Sequence, residues 1–422
     1  MEHSKSLKKV IDIILVSTIL LNVFGAPIAK KFNLPTFFIT AIPLIFLFTI
    51  NLKIKQGKLD IRKNIKFYIV ISVFVCILHI LKSIIKSEIG LGNNEFKYLL
   101  YILTFLTTSS VIKIENWYAV EFSLIGISLF LSFDALQYLP LMISTGTRIY
   151  NVTNYTLLDK PVYTLILTLT VVCLLINILE RKRSNRKISK YLMILLALFL
   201  SGINIVLIQS KLFVLVLTVV FFLLFLFVNK ISRKNVFLFF LLVFAGVITC
   251  FLIFPKYVPD YIYIFLNRYL GIFNNVVSNI QAYDRYAATY HYRNAIYMYS
   301  FNLFLNNFFV GVGFGNYKKY AVLNSLLLNG VIQTESSYMN LLVEGGIIYF
   351  SLHMSFLFSL FCKLWKKQYY NEKTLYSLKM FLLLISYFIL NTGNDFYSIQ
   401  YWIILAFIYQ VAIIKDKKLW NL

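Results

Sequence analysis

Charge is scarce in this chain of 422 residues, and acidic charge is scarcest: 17 Asp and Glu stand against 41 Lys and Arg. Only 14% of the residues are charged while 59% are hydrophobic. A soluble domain of this size is about one quarter charged, so the sequence has too little polar surface to cover one. Cysteine numbers only four. Cys76, Cys173, Cys250 and Cys362 lie inside or at the edge of apolar runs, away from any outer loop and without metal-ligand spacing. That excludes a disulfide framework and a zinc site, and leaves them as small core hydrophobes. Tandem repeats, low-complexity tracts and a separate soluble domain are missing as well.

What the chain has in their place is long apolar runs. Stretches of roughly 17 to 25 residues are long enough to cross the hydrocarbon core of a bilayer. They fall near 10–26, 34–52, 66–86, 96–112, 118–142, 161–179, 190–208, 211–228, 235–254, 337–362, 377–393 and 398–414. The expected fold is therefore all-α, a polytopic membrane protein of about twelve transmembrane helices. Two of the runs are interrupted, 66–86 by His79 and Lys82, and 118–142 by Glu121 and Asp134. Lys5, Lys8 and Lys9 precede Val10–Ala26 as in a signal peptide. No small-residue cleavage site follows, so this run reads as a retained first helix.

The net charge of +24 would suit a nucleic-acid binder if it were spread over one surface. It is instead gathered in short clusters between apolar runs, which is how a membrane protein marks its cytoplasmic side. Counting from a cytoplasmic N-terminus, most of the 41 basic residues fall on inner segments, including Lys53 to Lys66, Arg181 to Lys190 and Lys363 to Lys379. Lys30 and Lys31 run against the trend. Both termini are therefore expected inside, with the bilayer as partner and no nucleic acid. Three regions follow: nine helices over 1–254, one long outer loop over 255–336, and three helices with a cytoplasmic C-terminus over 337–422. The loop is rich in Tyr and Phe, so it is expected to fold, and loops of this length usually carry function. Within it, Arg285–Phe309 has the aromatic and basic mixture of an interfacial helix.

Polar residues that could carry chemistry cluster around that loop. The chain between Tyr191 and Val228 is broken only by Asn204 and by Gln209-Ser210-Lys211. So tight a turn sets Lys211 in the first turn of the next helix, beside backbone N–H groups that favour anions. The same residue could equally be a lysine snorkelling to headgroups. In the loop, Arg285 and Arg293 are eight residues apart, roughly on one helical face with His291 between them. Their forked donors suit phosphate oxygens, of a substrate or of lipid headgroups. Gly311, Gly313 and Gly315 follow, without the βαβ context of a dinucleotide loop. They read as a tight turn where backbone approaches a headgroup or sugar. Last comes Gln333-Thr-Glu335-Ser336-Ser337-Tyr338-Met-Asn340-Leu-Leu-Val-Glu344-Gly345-Gly346, which opens a membrane helix. Glu335 falls at or before its N-terminus. Glu344, roughly 13 Å deeper at 1.5 Å per residue, costs about 2.5–3.5 kcal/mol or more unless paired, and a structural pairing is expected for it.

This order of features resembles the O-antigen ligase and Wzy-type polymerase superfamily, over roughly residues 205–350. The resemblance implies an inner-membrane glycosyltransferase using polyprenyl-diphosphate-linked sugars. It places Lys211 and Arg293 at the positions that hold the lipid diphosphate. Glu335 and Ser336 stand where the ligases have a His-Asn pair, and an acidic residue there favours a polymerase of O-antigen, capsule or other polysaccharide repeat units. Lys211, Arg293 and Glu335 are then the expected catalytic residues. Gln209, Ser210, Arg285, His291, Ser336 and Tyr338 are expected to bind substrate. A diphosphate leaving group needs cations rather than an acid, so Lys211 and Arg293 would stabilise its charge while Glu335 orients or deprotonates the attacking hydroxyl. No metal or other cofactor enters this scheme. A flippase and a chain-length regulator are the expected protein partners. A ligase and a lipid-linked oligosaccharide flippase are the rival functions; a flippase would spread its charges along a central cavity, without one dominant loop.

Overall fold

The computed structural model describes residues 8–21, 63–85, 93–112, 114–136, 160–180, 211–227, 295–323, 336–369, 375–391 and 399–413, besides the single positions 45, 46, 49, 195 and 241. All regular structure among them is helical. The helices are α1 (8–21), α2 (Lys63–Ile85), α3 (Asn93–Val111), α4 (Trp117–Leu136), α5 (Lys160–Glu180), α6 (Lys211–Phe227), α7 (295–306), α8 (Tyr317–Leu323), α9 (Ser337–Tyr369), α10 (Leu375–Leu390) and α11 (Ile399–Ile413). Nine of the twelve apolar runs coincide with these helices; 34–52, 190–208 and 235–254 lie outside the described residues apart from isolated positions. Among the described residues only α9, over Ser337–Gln368, is both long and apolar enough to cross a membrane by length and composition. Shorter apolar helices lie at Tyr68–Leu81, Tyr98–Val111, Trp117–Phe133, Leu215–Phe227, Tyr376–Leu390 and Gln400–Ile413.

Large apolar side chains lie on the outside of the bundle as well as in its core. Val70, Phe74, Ile77 and Leu81 form an exposed stripe along α2, at steps of four, three and four residues. Tyr118, Phe122, Phe130 and Phe133 do so on α4, and Leu215, Phe222, Phe225 and Leu226 on α6. Patches of large apolar side chains at helical period need an apolar medium around them. The polar residues point inward: Thr104, Thr107 and Thr108 on α3, Ser128 and Ser132 on α4, Thr168 and Thr170 on α5, Ser386 on α10 and Gln410 on α11 are buried. Several of these hydroxyls bond a carbonyl four residues earlier, as Ser132 does to Ser128 O at 2.7 Å and Thr170 to Ile166 O at 2.8 Å. This removes a polar group from hydrocarbon without needing a second helix.

The interrupted runs at 66–86 and 118–142 both form helices, and one interrupting residue in each, His79 and Glu121, has a partner. Glu121 on α4 accepts from Lys379 Nζ on α10 at 3.1 Å. Asn177 on α5 joins the pair, accepting from Lys379 Nζ at 2.8 Å and donating to Glu121. Lys379 thereby corrects its sequence reading as part of a membrane-flanking basic cluster: its side chain is fully buried. A charge so placed persists only because its counter-charge and a third polar group satisfy it.

Contacts at the helix ends set the directions. Lys8 reaches Glu115 at 2.9 Å, Asn116 donates to Asp12 at 2.7 Å, and Lys367 donates to Val411 O at 2.8 Å. With the Glu121–Lys379 pair, these gather the starts of α1, α4 and α10 and the ends of α5, α9 and α11 at one end of the bundle. Phe227 packs there too, its ring 5.6 Å from Trp365 and 6.0 Å from Phe381. At the other end Ser337 N–H donates to Asn391 O at 3.0 Å, joining the start of α9 to the end of α10. Because α6 closes beside Trp365, it opens toward that second end.

Candidate functional site

At Gly346 the backbone leaves the helical region (φ 65°, ψ −176°), so α9 is two helical pieces joined by one residue. In an unbroken helix Ile347 N–H would bond Val343 O, and Ile348 N–H would bond Glu344 O. Both pairs are taken over by the loop between α7 and α8. Val312 N–H donates to Val343 O at 3.0 Å and Gly313 N–H to Glu344 O at 3.0 Å. Ile347 N–H donates to Phe308 O at 2.9 Å and Ile348 N–H to Phe309 O at 3.3 Å. Two intrahelical bonds have become four between the helix and the loop. Irregular backbone at membrane depth is tolerated only where protein satisfies it in this way.

The glycines make the insertion possible. A Cβ on Gly346 would lie 2.4 Å from Phe309 O, and one on Gly311 would lie 2.3 Å from Glu344 O. Gly311 also has φ 77°, where only glycine is unstrained. The turn expected at Gly311–Gly315 is therefore present. The surface it approaches so closely is the protein's own broken helix.

Side chains lock the arrangement. Glu344 is 2% exposed and accepts Tyr317 N–H on Oε1 at 3.1 Å. Its carboxylate thus caps the first residue of α8, where a negative charge is favoured. The structural pairing expected for Glu344 includes this backbone N–H. His79 on α2 bonds Val310 O through Nε2 at 2.6 Å, which accounts for the polar interruption in that apolar run. Phe314 inserts beneath the loop, stacked on Tyr98 at 3.9 Å and edge-on to Tyr349 at 5.0 Å. Below it a buried chain of hydrogen bonds crosses four helices. Tyr98 bonds Tyr349, Tyr68 meets Tyr349 at 3.4 Å and His353 Nδ1 at 2.9 Å, and His353 Nε2 meets Tyr401 at 3.3 Å.

Above the loop, α7, α8 and the outer piece of α9 share a small core of Ile296, Phe304, Val312, Tyr317, Ala321 and Val343. Ser300 Oγ donates to Tyr317 Oη at 3.0 Å and Tyr299 to Tyr320 O at 2.9 Å. The opposite side of α7 and the turn after it leave Met298, Phe301, Leu305, Phe308 and Phe309 exposed. This is the apolar face expected of an interfacial helix.

Of the expected site residues, Lys211 is the first residue of α6. Ser336 immediately precedes α9, and its Oγ accepts Met339 N–H at 3.5 Å in the manner of an N-cap. Tyr338 donates its hydroxyl to Phe388 O at 2.8 Å, docking α9 on α10. Gln209, Ser210, Arg285, His291, Arg293 and Glu335 lie outside the described residues. The residues that sequence reasoning missed are Gly346, His79 and Phe314. Their local signals are His79 itself, a polar interruption of an apolar run, and the Gly345-Gly346 pair inside another, since glycine in a helix interior costs about 1 kcal/mol relative to alanine.

Among the described residues, a helical bundle exposes large apolar side chains, buries several hydroxyl and amide groups, and holds a broken helix on the loop between α7 and α8, which suits a membrane protein. Residues 196–354 match the family described as O-antigen ligase. That segment takes in Lys211, the glycine loop and the break in α9, and over it the chain is similar to a family of glycosyltransferase-like, membrane-associated enzymes that act on lipid-linked oligosaccharides. A search of curated proteins finds no match.

Proposed function

We propose that this protein is a polysaccharide polymerase that joins polyprenyl-diphosphate-linked oligosaccharide repeat units on the outer face of the cytoplasmic membrane. About twelve spans, with both termini cytoplasmic, would put the start of α9 and the start of α6 on that face. The observation that carries the reading is the start of α9. Ser336 caps the helix, and Glu335 directly precedes it, at the place where the superfamily's ligases have a His-Asn pair. A carboxylate at that position can accept the proton of an attacking sugar hydroxyl.

In the proposed step that hydroxyl oxygen forms a bond to the anomeric carbon of the donor. The bond from that carbon to the diphosphate oxygen breaks, and polyprenyl diphosphate leaves with the electron pair. Lys211 and Arg293, with Arg285, neutralise the developing charge. Glu335 takes the proton. Direct displacement inverts the anomeric centre and routes no electron through a metal. A separate flippase supplies the donor, and a length regulator sets the product size.

The family description favours a second reading, in which the acceptor is the core of a lipid rather than another repeat unit. The two diverge in their product. Purified protein in vesicles, given lipid-linked repeat units alone, should yield a ladder of chain lengths if it polymerises. A ligase leaves them unjoined until a lipid-core acceptor is added. Glu335→Gln and Arg293→Ala should abolish the ladder. A ladder of normal length from either variant would remove that residue from the chemistry.

A further inference from the structure

The end of the bundle where α9 begins and α10 finishes carries two polar side chains that the mechanism above does not use. Ser337 is 1% exposed and Asn391 4% exposed. Their backbones are joined by the Ser337 N–H to Asn391 O bond at 3.0 Å, yet Ser337 Oγ and Asn391 Nδ2 have no hydrogen-bond partner. Tyr387, four residues before Asn391 and so on the same side of α10, has a buried hydroxyl that is likewise unpaired. The neighbouring groups are satisfied: Tyr338 bonds Phe388 O, and Ser336 Oγ accepts Met339 N–H. Each buried polar atom left without a partner costs about 1–3 kcal/mol, and natural interiors keep few of them, commonly where function requires.

We propose that Ser337 and Asn391 form a subsite for an uncharged sugar hydroxyl of the acceptor chain, at the junction of α9 and α10. This rests on the polymerase reading, and extends it by assigning acceptor recognition to residues outside the expected site. The chemistry of the pair selects the ligand. A serine hydroxyl donates and accepts, and an amide nitrogen only donates. Together they complement a sugar hydroxyl, which also does both. The pair carries no charge, so it offers a diphosphate much less than Lys211 and the loop arginines do. Its position follows Glu335 by two residues in the chain. A hydroxyl held here therefore belongs to the sugar that presents its neighbouring hydroxyl for attack.

The test uses the full-length protein in detergent or vesicles, with lipid-linked repeat units from the producing cell as donor. The same repeat unit, freed of its lipid, serves as acceptor and is also titrated alone for binding by saturation-transfer NMR. Ser337→Ala and Asn391→Ala should each raise the acceptor KM about three- to tenfold, the worth of one hydrogen bond. The donor KM should stay within twofold, and Ser337→Thr should keep wild-type binding. Because each truncation removes a buried atom that has no partner, the melting temperature should hold or rise. A group serving only the fold would instead lower it. Unchanged oligosaccharide binding in both alanine variants, or a rise confined to the donor KM, would overturn the subsite. Binding that weakens in the variants while no ladder forms in the wild type keeps the subsite and overturns the polymerase reading alone.

Discussion

Replacing Gly346 by alanine should release the loop from α9. The backbone at this position lies at φ 65°, ψ −176°, a region that side-chain-bearing residues enter at a cost of about 1–3 kcal/mol. The new methyl carbon would also stand 2.4 Å from Phe309 O and 2.6 Å from Gly311 N. Both neighbours are backbone, so relief requires the loop to move. That movement breaks some or all of the bonds to Val343 O, Glu344 O, Ile347 N–H and Ile348 N–H. At about 1 kcal/mol net for each bond, added to the strain, the loss is on the order of 5 kcal/mol. Amide exchange through local opening should then accelerate about a thousandfold, at one decade per 1.4 kcal/mol. Hydrogen–deuterium exchange in detergent, read on peptides covering 308–315 and 343–349, measures this directly. The peptides of α10 and α11 should exchange as in the wild type. Gly126→Ala on α4 is the control: a Cβ there meets nothing within 4 Å, so it should hold or raise stability by up to about 1 kcal/mol. Wild-type protection of Val312 and Gly313 in Gly346→Ala would refute the account of the broken helix.

Lys379→Met should destabilise the bundle by about 3–5 kcal/mol, because it strands the Glu121 carboxylate in the interior. The double variant Glu121→Leu/Lys379→Met should recover most of that loss in a thermal melt, and a double variant no better than the single would dissolve the pairing argument. Glu344→Ala should free the start of α8, while Glu344→Gln keeps an oxygen for Tyr317 N–H. Exchange at 317–321 should therefore rise by roughly one to two decades in the first and far less in the second, and equal rises in both would show the side chain to be irrelevant to the cap. Lys211→Ala should lower kcat/KM for the lipid-linked donor about 10²–10³-fold, as the loss of one charge-stabilising group does elsewhere. Lys211→Arg should restore part of it, and a wild-type rate in the alanine variant would leave Lys211 as a headgroup anchor.

Among the described residues, helices were legible where a run of about twenty apolar residues stood between polar ones, because such a run is a local property of the chain. The two uncertain runs were uncertain for a physical reason. His79 and Glu121 are read as interruptions until their partners appear, and Val310 and Lys379 stand 231 and 258 residues away. No window on the sequence contains both members of either pair. Lys379 was misread by the same limitation, since a lysine near a basic cluster resembles a flank until its carboxylate is found. Glu344 was legible in kind: its depth demanded a partner. That one partner is the Tyr317 N–H follows from where α8 begins, which depends on the loop. The glycines announced a turn, but the helix they pack on is set by Gly346, in a different segment, and by a tertiary contact that neither segment encodes alone. The unpaired Ser337 and Asn391 were not legible at all, because an unmet hydrogen bond is a property of the assembled structure.

The break at Gly346 also bears on how the bundle would hold the proposed site at its end. The main core takes in α1 to α6, α9 on both sides of the break, α10, α11 and Phe314 of the loop. A second, smaller core joins α7, α8 and the outer piece of α9. Were α9 continuous, the direction of its outer turns would be dictated by helix geometry, and the loop would rest on them only through side chains. With the ladder opened, the outer turns are held by backbone bonds to the loop, by Glu344 on α8, and by Ser337 and Tyr338 on the end of α10. The start of α9 is thus fixed jointly by the segment that follows the loop arginines and by the transmembrane core that carries Lys211. Two glycines in backbone contact, Gly311 and Gly346, are where the loop and the broken helix approach most tightly. A substitution there should uncouple them while leaving each core folded, which makes this contact a sharper probe of the site than any residue within it.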